Sequence, residues 1–228
     1  MSELKPPPVR GVAKSTLKNQ ICNEIKRLIL TNTLQPGQPI VIDKLAEEFG
    51  VSHIPVREAM VMLERDGLVE LNSYQNPRVA NVTAADVRDV YEMRLMVEGW
   101  AVERAARSLT EAQIEELEEL LRIARVEAAA NNYGPHLKAD LLLHETILRS
   151  TENKLFWMLA QRIHERSILV RALVEAKGTV QYINQIIDEH YSITRALRAH
   201  DPEQARQAMI AHLQAGFQRT LLALGKHL

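Results

Sequence analysis

Cysteine is almost missing from this sequence: Cys22 stands alone among 228 residues, which rules out an intrachain disulfide and a cysteine-built zinc site. Its place on the apolar side of a predicted helix reads as a core thiol rather than a reactive one. Aromatic residues are scarce too, at 4%, so the interior has to be assembled from Leu, Ile, Val and Ala. That supply favours helices packed on helices. No apolar run approaches the roughly 20 residues that cross a bilayer as a helix. Met1 to Lys14 holds prolines and basic residues but no apolar signal core. A cytoplasmic chain without membrane attachment is therefore expected. An excess of either charge is also lacking. The formal net charge is −1, so a surface for a polyanion would have to be local.

What is present is the balance of a globular protein, with 46% hydrophobic and 25% charged residues. The length suits one large domain or two ordinary ones. Residues 1–14, with Pro6, Pro7 and Pro8, read as an extended tail. Ser15 is the expected cap of a first helix carrying Leu17, Ile21, Ile25, Leu28 and Ile29 at helical spacing. Asp43 is the expected cap of a short second helix that ends at Gly50. Ser52 caps a third, in which Pro55 is tolerated because first-turn amides lack an intrahelical partner. Two β-prone stretches, Leu68–Leu71 and Arg78–Val82, flank the polar run Asn72–Pro77 and predict a short hairpin.

Beyond Thr83 every signal is helical. Thr83 with Asp86, and Thr110 with Gln113, have capping-box spacing; Asp201-Pro202 sets a cap before a proline at the first helical position. Six helices are predicted at about 84–107, 111–130, 134–150, 153–175, 179–199 and 202–225. The expected fold is mainly α: a winged helix-turn-helix of three helices and a β-hairpin wing over 15–82, then an all-α bundle of about six helices over 83–228.

Helix, tight helix-turn-helix and hairpin form the plan in which the motif's second helix enters the DNA major groove. Gly50 permits the turn, and Ser52, His53 and Arg57 fall on the first turns of the would-be recognition helix. Its backbone amides there suit a phosphate. Lys5, Arg10, Lys14, Lys18, Lys26 and Arg27 face the single acid Glu24, a local basic patch hidden by the net charge. The same packing also occurs in domains that bind no DNA.

The run LAEEFGVSHIPVREAMVMLERDGLVE resembles the DNA-binding signature of the GntR family of bacterial regulators over residues 15–80. That resemblance implies DNA contacts by Ser52, His53 and Arg57, with Lys44 near the backbone. His53 stands where the family usually has Arg and cannot form the same bidentate contact to guanine. The wing lacks the family's glycine pair, and wing contacts are expected from Gln75, Asn76 or Arg78. One small winged domain contacts too little duplex for tight specificity, so a two-fold homodimer on double-stranded operator DNA is expected, acting as a repressor.

In the second half, Asp140 and His144 are four apart and share a helix face, while His190 and His212 fall on the last two helices. Three imidazoles and one carboxylate suit zinc, nickel or a similar divalent ion; an Asp–His pair on a helix can equally be a surface hydrogen bond. His53, His136, His164, His200 and His227 are further histidines not assigned as ligands. The stretches VYEMRLMVEGWAVERAA, DLLLHETILRSTEN and DEHYSITRALRAHDPEQARQAMIAHL resemble the FCD-type sensing domain of the FadR-like branch of GntR regulators, over about 84–222. The metal-binding members of that type imply Asp140, His144, His190 and His212 as the ligands.

The resemblance further implies a small carboxylate effector on the ion's open positions, with Arg94 at an effector-facing place. Arg94 could instead pair with Glu98, four residues on. Arg219 follows His212 by seven residues, about 20° around the helix and roughly 10 Å along it. It is therefore expected to face the same interior, with no acid within one turn on its own helix, unless the helix end leaves it solvated. Trp100, Trp157, Tyr182 and Tyr191 are candidates for packing or for lining a pocket. Two rival readings remain: a structural ion that only clamps the bundle, and a metal-dependent hydrolase. The second lacks an H-E-x-x-H motif and a glycine-rich phosphate loop. No enzyme is expected.

Overall fold

The computed structural model describes residues 12–30, 33–72, 75–175 and 179–225. The chain divides into two compact units, 1–81 and 82–228.

The first unit holds α1 (Val12–Leu30), α2 (Ile42–Phe49), α3 (His53–Arg65) and the antiparallel strands β1 (Val69–Glu70) and β2 (Arg78–Val79). Helix α1 starts three residues before Ser15, so Ser15 lies inside it and the expected tail to Lys14 is cut short. Residues 1–11 lie outside the described part. Asp43 does not cap α2 either. Val41, in extended backbone, takes that position with no side-chain bond, and Asp43 sits in the first turn. Its charge there faces the positive end of the helix dipole. Gly50 ends α2 in left-handed backbone at φ 64°, the conformation a side chain resists. The amide of Val51 then returns to the Ala46 carbonyl at 2.9 Å.

Helix α3 packs on α1 and α2 through Val56, Ala59, Met60 and Leu63, all buried. Ile21, Ile25 and Ile29 of α1 and Leu45 and Ala46 of α2 complete that core, and Cys22 is buried with them. The strands are shorter than the β-prone stretches predicted. A third backbone segment joins them: Gly37 donates to the Val79 carbonyl and Val79 to the Gln38 carbonyl, both at 2.9 Å.

The second unit is wholly helical among its described residues: α4 (Ala84–Ser108), α5 (Glu111–Ala129), α6 (Gly134–Arg149), α7 (Lys154–Glu175), α8 (Val180–Arg198) and α9 (Pro202–Leu224). Both capping boxes form. Thr83 and Asp86 exchange backbone and side-chain bonds at 2.9 and 3.2 Å, and Thr110 and Gln113 do so at 3.0 and 3.3 Å. Asp201 caps α9 by accepting from the Gln204 amide. Three corners carry left-handed backbone on residues other than glycine: Asn131, Glu152 and His200, at φ 60°, 53° and 50°.

Helix α4 lies along α9, α5 packs on α6 and α8, and α8 on α9. Ile114, Leu121, Leu143, Ile147, Ile187, Ile193, Leu197 and Leu213 are fully buried between them, each contributing about 1.5–3 kcal/mol. Because α8 packs on both α6 and α9, residues far apart in sequence meet in one interior. No helix among the described residues is long and apolar enough to cross a membrane.

Candidate metal centre and DNA-binding surface

Asp140 and His144 stand one turn apart on α6, His190 lies in the middle of α8, and His212 in the middle of α9. All four are buried, and one donor atom from each lies within 4.8 Å of every other. The Asp140 Oδ1 oxygen is 3.6 Å from His144 Nε2 and 3.5 Å from His190 Nε2. Ring centroids of His190 and His212 are 4.6 Å apart, and those of His144 and His212 5.3 Å. The structure thus brings together the four residues that the sequence singled out on three helices.

A second layer of residues orients the rings. His144 Nδ1 donates to Glu98 Oε2 at 2.6 Å, and His212 Nδ1 donates to Glu189 Oε2 at 2.8 Å. With Nδ1 committed to a carboxylate, each ring presents Nε2 to the cluster, the arrangement of metal-binding imidazoles. Burial lowers the His212 pKa to about 4 against the opposing bond from Glu189, so its ring is neutral and keeps a lone pair for an ion. Burial alone would raise Glu189, but bonds from His212 and Arg219 bring it down to about 2. The donor set fits a divalent cation: three imidazoles, two of them oriented by carboxylates, and one carboxylate.

Glu189 did not stand out in the sequence, and Glu98 did so only as a partner for Arg94, not for His144. Glu98 accepts from Arg94 Nε at 2.6 Å, so Arg94 does pair within its own helix, and it also lines a cavity beside the histidines. Arg219 lines the same cavity and, as expected, has no acid within one turn on its own helix, but an acid of the protein rather than a bound ligand matches it. Glu189, on α8, receives Arg219 Nη1 and Nη2 at 2.5 and 2.8 Å. The partner comes from the adjacent helix, not from α9 itself. Arg219 is also not solvated; its side chain is 14% exposed.

Tyr91, Tyr182, Thr220 and His136 complete much of the cavity wall. Tyr91 reaches it because α9 has Gly216 there: a Cβ would stand 3.0 Å from the Tyr91 hydroxyl. Of the four aromatic candidates only Tyr182 lines it. Trp100 packs on Phe156, Trp157 under Arg149, and the Tyr191 hydroxyl donates to the Glu118 carbonyl. His164 is buried, and burial lowers its pKa to about 4. His200 stands apart and shares a bond with the Ala106 carbonyl at 2.9 Å. His227 lies outside the described residues.

In the first unit Ser52 caps α3 by position, yet its side chain makes no capping bond. His53, Arg57 and Lys44 are exposed. His53 Nε2 lies 3.5 Å from Asp43 Oδ1, and Lys44 lies 3.8 Å from Glu48. Arg78, on β2, donates to the Gly37 carbonyl at 3.2 Å. Arg27 is forked onto Glu24, so one basic residue of the expected patch is already matched. Lys5 and Arg10 lie outside the described residues. Ile54, 64% exposed at the start of α3, was missed; an apolar residue between His53 and Pro55 gives no periodic signal.

Residues 89–215 match the FCD domain, and residues 17–75 match the bacterial regulatory proteins of the gntR family. The chain belongs to the GntR family of DNA-binding transcriptional regulators and carries an FCD domain. The gluconate operon transcriptional repressor of Bacillus subtilis (strain 168) is 24% identical over 213 residues, 92% of this chain and 86% of that one. E. coli McbR/YncC has the same fold, with a TM-score of 0.80 at 21% identity over 93% of this chain and 99% of that one. A Zn2+-bound FCD domain, that of TM0439, superposes with a TM-score of 0.53 at 22% identity, covering 64% of this chain and 98% of that one.

Proposed function

We propose that this chain is a repressor of the FadR-like branch whose hold on its operator is set by a small organic acid bound at a divalent ion. In this reading residues 15–82 bind DNA through Ser52, His53, Arg57 and Lys44, with Arg78 on the wing. Residues 83–228 bind the ion through Asp140, His144, His190 and His212. The observation that carries it is the buried convergence of those four donors, with rings oriented by Glu98 and Glu189, beside a cavity lined by Arg94 and Arg219. The zinc in the related FCD domain and the sugar-acid operon of the related repressor support it.

Zinc or nickel suits three imidazoles and a carboxylate. Bound there, the ion would supply a Lewis-acidic anchor for an acid's carboxylate. The chain's own part is to keep the donors buried and to fix the Nε2 atoms of His144 and His212 inward. Operator binding as a homodimer follows from the small footprint of one winged domain. Met93, Met96 and Trp100 on α4 and Leu155, Met158 and Leu159 on α7 are all exposed, an apolar face of the second unit that suits a second copy.

The test is elemental analysis and operator titration by fluorescence anisotropy on purified protein. About one ion per chain is expected in the natural sequence and none in His212→Ala, with operator affinity shifted by an acid only when the ion is present. A full complement of metal in His212→Ala, or an acid response in chelated protein, would remove the site from the reading. Operator affinity should vanish in Arg57→Ala while its melting curve is unchanged.

A further inference from the structure

We propose that the cavity beside the candidate metal centre selects a polyhydroxylated monocarboxylic acid over the dicarboxylic acid of the same length. The inference rests on the reading of that cavity as an acid-binding site. It starts from the state of the two guanidiniums in its wall. Arg94 is buried against Glu98, and Arg219 is forked onto both oxygens of Glu189. Each cation is therefore already matched by a carboxylate of the protein. An acid entering the cavity finds one uncompensated cationic anchor, the ion itself, and a single carboxylate satisfies it.

A second carboxylate would have to sit against Glu98 or Glu189 in a partly dehydrated site, or displace one of them from its arginine. Either is unfavourable, since like charges repel strongly where water is excluded. Hydroxyl groups meet no such barrier, and the wall is suited to them. Arg219 Nε is buried with no hydrogen-bond partner, which is costly, and a neutral hydroxyl oxygen can accept from it. That hydroxyl's own proton can be given to a carboxylate oxygen of Glu189. Tyr91 and Thr220, whose hydroxyls lie 3.2 Å apart, extend the same chemistry along the wall. The bidentate pair thus works as a charge filter: Arg219 offers a hydrogen bond while Glu189 cancels its attraction for a second anion.

The experiment is calorimetric titration of ion-loaded full-length protein with two matched pairs, erythronic against tartaric acid and gluconic against glucaric acid, with ion content measured after each run. The monoacid of at least one pair should bind at least about tenfold more tightly than its diacid. Glu189→Gln keeps an acceptor for His212 but removes the charge that neutralises Arg219, so the preference should shrink several-fold by a gain in diacid affinity. Arg219→Gln leaves Glu189 uncompensated and should widen the preference, giving the opposite sign even if Glu189→Gln loses its ion. Diacids that bind the natural sequence as tightly as the monoacids would overturn the proposal, as would a preference unmoved in both variants. Failure of all four acids to bind ion-loaded protein would instead count against the acid-sensing reading on which it rests.

Discussion

Replacing Glu98 with alanine should separate two roles that one buried carboxylate plays. Glu98 and Arg94 are each about 1% exposed, and the same carboxylate accepts from Arg94 Nε and His144 Nδ1, both at 2.6 Å. Burial would raise its pKa, but the Arg94 charge and the His144 contact overcome that and hold it well below the usual carboxylate range. Its contribution is therefore complete above about pH 4.3, the unfolded value, and is lost as the pH falls toward its native pKa. Removing it at neutral pH leaves a guanidinium buried without a counter-charge, at about 3–5 kcal/mol. For a chain of this size about 1 kcal/mol moves the melting temperature by about 2–4 °C. In chelated protein, calorimetry should thus show a fall of about 6–20 °C. Ion binding should suffer as well, since losing a partner of a metal-bound histidine costs about 10–100-fold in affinity. The stabilisation by a fixed excess of ion then shrinks by about 1.4–2.7 kcal/mol. The double variant Arg94→Met, Glu98→Leu removes both charges and should regain most of the chelated stability, while ion affinity stays low because His144 still lacks its acceptor. A single variant that melts within about 2 °C of the natural sequence in chelator would refute the reasoning, as would a double variant with restored ion affinity.

Two further outcomes are expected. Thr110→Ala dismantles a complete capping box at the start of α5 and should cost about 1 kcal/mol, read as a fall of a few degrees with ion content unaltered; no change would mean the box adds nothing. Gly216→Ala drives a methyl to 3.0 Å from the Tyr91 hydroxyl, so acid affinity should fall more than stability, and a variant with natural acid binding would show that Tyr91 can move at no cost.

The second unit was legible because its helices announce their own ends. Capping boxes at Thr83 and Thr110 and the Asp201-Pro202 pair are local chemistry, and helices α4 to α9 begin and end within about two residues of expectation. Asp140 and His144 were legible for the same reason, being one turn apart. The bonds of Glu98 to His144 and of Glu189 to His212 were not, because each crosses an interhelical gap that no spacing along the chain encodes. Arg219 shows this most clearly, since spacing along α9 offers it no acid while its partner stands on α8 beside His190. The first unit misled at its caps. Asp43 has the side chain of a cap, but the apolar anchors Ile40 and Leu45 set where α2 begins, and Val41 takes the position without contributing a bond.

The three left-handed corners have an engineering consequence. Left-handed backbone costs a residue with a Cβ roughly 1–2 kcal/mol and costs glycine almost nothing, so each corner holds stability in reserve. Asn131 is the mildest case, since asparagine tolerates this geometry. His200 is compensated by its bond to the Ala106 carbonyl. Glu152 is exposed and joins α6 to α7 in a tight turn, its amide returning to the Arg149 carbonyl at 3.1 Å. Glycine at position 152 would relax that corner without touching the cavity or the four candidate ligands. A sturdier protein for crystallisation or calorimetry is therefore reached first through a connector distant from all the chemistry.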